Sequence, residues 1–201
     1  MQTNEQMLSA IENYLAQTEF PAEPELLYAP IGYSLAGGGK RLRPMLLTLS
    51  CGIFSDDVKQ ALPAAAAVEG FHNFTLLHDD IMDNAAVRRG KPSVHAKWGQ
   101  NVAILSGDYI FARAFTLIAE EGYDPYVSKR LADLVCNLSV GEIIQDHAVY
   151  QASRGMADYY ERIQKKTADF LEICCELGAM VGGMDREEMK KLAEYGHCIG
   201  M

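Results

Sequence analysis

LPAAAAVEGFHNFTLLHDDIMDN (62–84) is a long run of helix-forming residues that closes on three aspartates. Four successive alanines favour helix, and no alternation of apolar and polar residues suits a strand. Pro63 is tolerated only in a first helical turn, so it marks where the helix opens. Asp56 or Asp57 is placed to cap the segment, and the pattern predicts a helix running to about Asn84.

Working outward, helical periodicity continues in both directions. Asn4 to Gln17 reads as a first helix, and Glu23 to Ala36 as a second, stopped by Gly37-Gly38-Gly39. Pro44 opens a third, running to about Phe54, and its ring disfavours helix at Arg43, which places Lys40 to Arg43 in an entry loop. Beyond the aspartates, Arg88 to Gly99 reads as a loop. A fifth helix, with Asn101 as a possible cap, runs to about Glu121. A sixth starts at Asp124-Pro125 and passes Gln145, a seventh spans Met156 to Gly178, and an eighth begins at Asp185. The short breaks predict an all-α, single-domain helical bundle.

The chain of 201 residues carries 27 acidic and 18 basic side chains, a formal charge of −9, which argues against nucleic acid as a partner. No uncharged apolar run reaches the ~18 residues of a membrane span. The first ten residues lack a basic stretch followed by an apolar one, so no secretory signal is expected. Cys51, Cys136, Cys174, Cys175 and Cys198 lack zinc spacing and are read as reduced core thiols of a cytoplasmic protein.

Asp79 and Asp83 stand one helical turn apart on one face. Neighbouring Leu76, Leu77, Ile81 and Met82 suggest that protein surrounds the helix there. Like charges so placed want a cation, and an oxygen-only donor pair suits Mg²⁺, which commonly bridges carboxylates to phosphates. A solvated acidic helix end is the alternative. His72 falls on the same face two turns earlier, where it is either a core residue or a donor to a phosphate oxygen.

Six of the 18 basic residues fall in two clusters: Lys40, Arg41 and Arg43, then Arg88, Arg89 and Lys91. The first cluster follows three glycines and feeds a helix start, so backbone N–H groups and fixed cations come together there as an anion site. The lysine is not followed by Ser or Thr and no strand precedes it, which excludes a P-loop. Arg88 and Arg89 diverge in a loop and can address two anions, with the fork geometry that phosphate favours.

Taken together, GGGKRLRP (37–44), EGFHNFTLLHDDIMDNAAVRRGKPSVH (69–95), ILSGDYIFARAF (104–115), GEIIQD (141–146) and KKTADFLE (165–172) resemble the trans-isoprenyl diphosphate synthases. The resemblance covers nearly the whole chain in the family's order. It implies one isoprenoid synthase domain over 1–201, of the type I fold, with helices around a central cavity. It implies that Asp79 and Asp83 hold Mg²⁺ on an allylic diphosphate with Asp80 in support, and that Arg88 contacts that diphosphate. Lys40, Arg43, His72 and Arg89 would hold isopentenyl diphosphate. Lys166 and Thr167 match the family's KT element near the allylic diphosphate, and Gln145 faces the site in relatives.

The reaction so implied is condensation of the two diphosphates into a longer trans-prenyl diphosphate, by a homodimer. In the family, a bulky residue five before the first aspartate tends to give C15–C20 products, and Phe74 holds that place here. The family also carries a second aspartate-rich motif, and GHCIGM (196–201) ends where that motif is about to begin. The expectation is therefore a chain lacking its C-terminal part and poorly active alone. Two alternatives stay open: a non-catalytic or incomplete subunit of a heteromeric synthase, and a class I terpene cyclase. The isopentenyl diphosphate set argues against the cyclase. A helical bundle without an active site would need five motifs to co-occur in order by chance.

Overall fold

The computed structural model describes residues 3–150 and 155–201. Ten α-helices dominate them: α1 (Asn4–Ala16), α2 (Glu25–Leu35), α3 (Leu42–Phe54), α4 (Leu62–Met82), α5 (Val94–Trp98), α6 (Gln100–Glu120), α7 (Pro125–Tyr150), α8 (Met156–Ile163), α9 (Asp169–Val181) and α10 (Arg186–Gly200). The all-α expectation holds. The exception is a minimal hairpin, β1 (Val87–Arg88) with β2 (Lys91–Pro92), paired antiparallel.

The residues cluster into two compact units. One comprises Gln2–Met45 and Leu62–Glu121, the other Leu46–Ala61 and Gly122–Met201. The first is built on α4, whose Ala64 to Val68 and Phe71 are all buried. A helix that is apolar all round belongs in an interior, and its small alanines let neighbours approach closely. α6 packs along it, with Gly70 meeting Ile110 and Ala114 across the contact. Ile31, Leu77, Val94, Ala103 and Ile110 form a core cluster in this unit. Among the described helices, α6 alone is long and apolar enough to cross a membrane. About a third of that stretch, 33%, is buried, along a stripe from Ala103 to Ile118.

In the second unit α9 is the central element, with Phe170, Ile173, Cys174 and Leu177 buried. Glycines permit its closest approaches. A Cβ at Gly178 would overlap the Leu47 carbonyl oxygen, and one at Gly196 of α10 would sit 2.5 Å from the Leu171 carbonyl oxygen. Asp185 caps α10, its Oδ1 accepting from the N–H groups of Glu187 and Glu188.

Several boundaries differ from the sequence expectation. α3 begins at Leu42, so Leu42 and Arg43 are helical and Pro44 is the third helical residue. First-turn amides have no partner within the helix, so proline costs little there. The expected capping aspartate instead serves a short 3₁₀ turn, Val58–Ala61, where Asp57 Oδ1 accepts from Lys59 N–H at 3.1 Å, and α4 follows with Pro63 in its first turn. α6 starts directly behind Gly99, without Asn101 as its cap. The expected Arg88–Gly99 loop contains the hairpin and α5. The expected seventh helix is interrupted by a π-helical segment, Gln164–Ala168. Met82 is exposed, so the end of α4 is less enclosed than expected. All five cysteines are reduced, but only Cys51, Cys174 and Cys175 are buried. Cys136 and Cys198 lie on outward helix faces.

Candidate active site

In the first unit α4 ends at Met82, and Asp83 N–H still bonds back to the Asp79 carbonyl at 2.8 Å, keeping the helical path. Asp79 and Asp83 therefore share a face, half-buried and exposed respectively. Three carboxylates at a helix C-terminus add to the negative end of its dipole, an arrangement that costs stability unless cations gather there. One cation is built in. Arg88 donates to Asp80 Oδ1 from Nε at 2.9 Å and from Nη2 at 2.5 Å, and Asp80 is 3% exposed. That hydrogen bond raises the Arg88 pKa, and the charges of Asp79 and Asp83 add to it. With Asp80 neutralised by Arg88, Asp79 and Asp83 offer oxygen-only donors one turn apart at the mouth of the site. This donor set fits Mg²⁺.

Arg88 is aimed by the hairpin. Its two-residue turn, Arg89-Gly90, has φ of 52° and 76°, the pattern of a type I′ turn. Arg88 and Arg89 thereby point to different partners. Arg89 Nη1 donates to the Gly38 carbonyl, and its guanidinium lies against Gly39, where a Cβ would fall 2.8 Å from Nη2. A pocket of about 410 Å³, its open mouth included, lies between these groups, lined among others by Tyr33, Asn73, Asp80, Arg88, Arg89 and Lys91.

His72 projects from α4 toward the glycine loop, with Arg43 Nη1 3.3 Å from its Nε2. Burial, then the charges of Arg43, Arg89, Arg88 and Arg41, lower its pKa to about 3. The imidazole is therefore neutral at physiological pH. It accepts from Arg43 at Nε2 and carries its proton on Nδ1, where it is a donor. Lys40 stands exposed in the loop. Lys40, Arg43, His72 and Arg89 thus gather around the glycine loop, while Asp79, Asp80, Asp83 and Arg88 gather at the end of α4.

Arg41 departs from the anion cluster to which its position assigned it. It is 5% exposed and held by Glu12, Glu69 and the Leu35 carbonyl. Glu69 is the corresponding surprise on α4. A carboxylate in an otherwise apolar helix needs a buried partner, and that was the one signal in the sequence that could have found it.

Gln145, Lys166 and Thr167 belong to the second unit. Lys166 lies in the π segment, donates to Gln145 Oε1 at 3.0 Å and pairs with Glu142. Gly141 permits this approach of α7, since a Cβ there would meet Lys165 Cβ at 2.9 Å. Thr167 is half-buried in the same segment. Glu142 is a further residue that motif reading missed. Asp169, Glu172 and His197 form another group of metal-type donors, with atoms within 4.8 Å of one another. Asn137 donates to Asp169, Arg130 pairs with Glu172, and His197 lies 3.1 Å from Glu172, so the protein itself accounts for that cluster.

A model of the family described as polyprenyl synthetase matches residues 24–201. The chain is 36% identical over 197 residues to a geranylgeranyl diphosphate synthase of Methanosarcina mazei, covering 96% of this chain and 60% of that one. It is 34% identical over 204 residues to a heptaprenyl diphosphate synthase component 2 of Geobacillus stearothermophilus, covering 96% and 63%. Its structure matches a crystal structure of a Caulobacter crescentus polyprenyl synthase complexed with calcium and isoprenyl diphosphate, with a TM-score of 0.90 and 32% identity over 98% of this chain and 59% of that one. The chain thus spans roughly three-fifths of the length of the curated relatives it matches. With a family model matched over residues 24–201 and relatives more than 30% identical across nearly its whole length, the chain belongs to the polyprenyl synthetase family.

Proposed function

We propose that the protein acts as a prenyltransferase that condenses isopentenyl diphosphate with an allylic diphosphate to give a longer trans-prenyl diphosphate. The observation that carries this reading is the pairing, within one unit, of a carboxylate site for a cation with a separate cluster of guanidiniums and a neutral histidine. Two diphosphates need two such anion sites, and a single-substrate cyclase needs one.

In this reading Asp79 and Asp83 hold Mg²⁺, which when bound neutralises charge on the allylic diphosphate. Asp80 fixes Arg88, and Arg88 turns a fork toward the same leaving group. Lys40, Arg43, Arg89 and the Nδ1–H of His72 hold isopentenyl diphosphate. Lys166, held by Gln145 and Glu142, and Thr167 are diphosphate contacts of the second unit in this reading. As the allylic C–O bond breaks, its electron pair leaves with the diphosphate. The alkene of isopentenyl diphosphate supplies the electrons of the new C–C bond, and the departing diphosphate takes the proton. The residues contribute electrostatic stabilisation and orientation, not a nucleophile.

Phe74 packs within 5.1 Å, centroid to centroid, of Phe111 and of His78. We read it as the residue that limits the product to C15–C20. Phe74→Ala should lengthen the product, and an unchanged chain-length profile rejects that role. Further parts of the reading are residues 1–201 as isoprenoid synthase domain, a homodimer formed through exposed α6 residues such as Ile104 and Leu105, and a cytoplasmic setting in which the five thiols stay reduced. The similarity to a heptaprenyl synthase component supports a second reading, a subunit of a heteromeric synthase.

The test is incubation with dimethylallyl or geranyl diphosphate, labelled isopentenyl diphosphate and Mg²⁺, with and without candidate partner chains. Elongated product that falls by about 100-fold or more in Asp79→Asn and Asp83→Asn supports the enzyme reading. Product that appears only with a partner supports the subunit reading. If no combination yields elongated product, both fail.

A further inference from the structure

We propose that Arg41, braced by Glu69 and Glu12, is a positioning residue that sets the glycine loop for isopentenyl diphosphate and does not itself touch it. The inference rests on the reading that Lys40 and Arg43 bind that diphosphate. Arg41 lies between them in sequence, yet its side chain is sequestered. Nε donates to Glu12 Oε1 at 2.9 Å, Nη1 to Glu69 Oε1 at 2.5 Å and Nη2 to the Leu35 carbonyl at 2.8 Å. A guanidinium at 5% exposure with every nitrogen engaged has little left to offer a phosphate.

What the anchorage secures is backbone geometry. Arg41 has φ of 47°, after Gly38 at 73° and Gly39 at 138°. Left-handed backbone is unfavourable for a residue with a Cβ and persists where its surroundings over-determine it. The same residue opens α3, its carbonyl accepting from Met45 N–H at 3.0 Å. The direction in which Lys40 and Arg43 leave the loop is therefore fixed at Arg41. Arg89 pins the loop a second time, at the Gly38 carbonyl.

The brace reaches deep into the unit. Glu69 is 2% exposed and also accepts from Asn73 Nδ2 at 3.2 Å, while Ser34 donates to Asn73 Oδ1 at 3.3 Å. A buried ion pair so fully hydrogen-bonded is best understood as specifying one conformation. Glu12 comes from α1, which precedes residues 24–201 of the family match and is seated by buried Met7 and Ile11. The N-terminal helix thus contributes a side chain to the order of the loop.

Calorimetry with isopentenyl diphosphate, and separately with geranyl thiolodiphosphate and Mg²⁺, tests this on the chain and its variants. Arg41→Lys keeps the charge but loses the fork. It should weaken isopentenyl diphosphate binding about 10- to 100-fold, as expected for a misplaced anchor, and leave the allylic analogue within about twofold. Glu69→Gln distinguishes positioning from ligation. Loosening a ligand arginine would preserve or strengthen binding, whereas the positioning role predicts weaker binding. An Arg41→Met/Glu69→Met pair leaves no unmatched buried charge and covers the case in which a single variant fails to fold. Folded variants that bind isopentenyl diphosphate like the unaltered chain overturn the proposal. So does parallel weakening of both ligands together with a lowered melting temperature. If the unaltered chain binds neither ligand, the functional reading falls first and the proposal with it.

Discussion

At the scale of single residues, His72 makes a prediction with a definite sign. Its folded pKa of about 3 lies below the ordinary 6.5. Between those values the unfolded chain takes up a proton that the folded chain refuses, so folding stability falls as pH drops through that window. His72→Gln removes this contribution, and its melting temperature should decline less steeply from pH 6.5 to pH 4. Identical slopes would show that His72 is not held neutral. The residue scale also shows what the sequence could disclose. The shared face of Asp79, Asp83 and His72 was legible because helical spacing alone sets it, whereas the role of Arg88 stood out only through the resemblance. The Arg88–Asp80 clamp was not legible, since it depends on a hairpin of two residues a strand. Arg41 and Arg43 look alike in GGGKRLRP, and only the buried carboxylate of Glu69 separates the sequestered arginine from the one beside His72.

At the scale of elements, the structure depends on close helix approaches more than on propensity. Gly178→Ala should gain up to about 1 kcal/mol of helix propensity. Its Cβ would nevertheless overlap the Leu47 carbonyl and lie 2.7 Å from Ser50 Cβ, and a backbone carbonyl cannot swing aside. Overpacking of this kind costs roughly 1–3 kcal/mol or more, so the net effect should be a lower urea midpoint at unchanged slope. A raised midpoint would contradict the packing described. Helix existence and type were readable from apolar periodicity, because long helices repeat their signal over several turns. Helix starts were less so, since Pro44 permits two registers and tertiary anchoring at Arg41 selects one. The π segment left no trace in the pattern, because one unwound turn keeps helical composition.

At the scale of the molecule, ligand and cation should act as one stabiliser. Mg²⁺ with inorganic diphosphate should raise the melting temperature, since what binds the folded state alone stabilises it. Each added separately should do less, because the Asp79–Asp83 pair needs the cation before an anion can approach. The gain should vanish in an Asp79→Asn/Asp83→Asn chain, as read by scanning calorimetry. Equal gains in that chain would place the diphosphate elsewhere.

The π-helical segment has a consequence of phase. Such a turn absorbs one extra residue, so everything beyond Gln164–Ala168 is rotated by about 100° from where an uninterrupted α-helix would put it. Lys166 meets Gln145 while Leu171, Cys174 and Leu177 still face the interior, two demands that a single regular helix would set at odds. Deleting one residue there would restore the regular winding at the expense of one demand or the other.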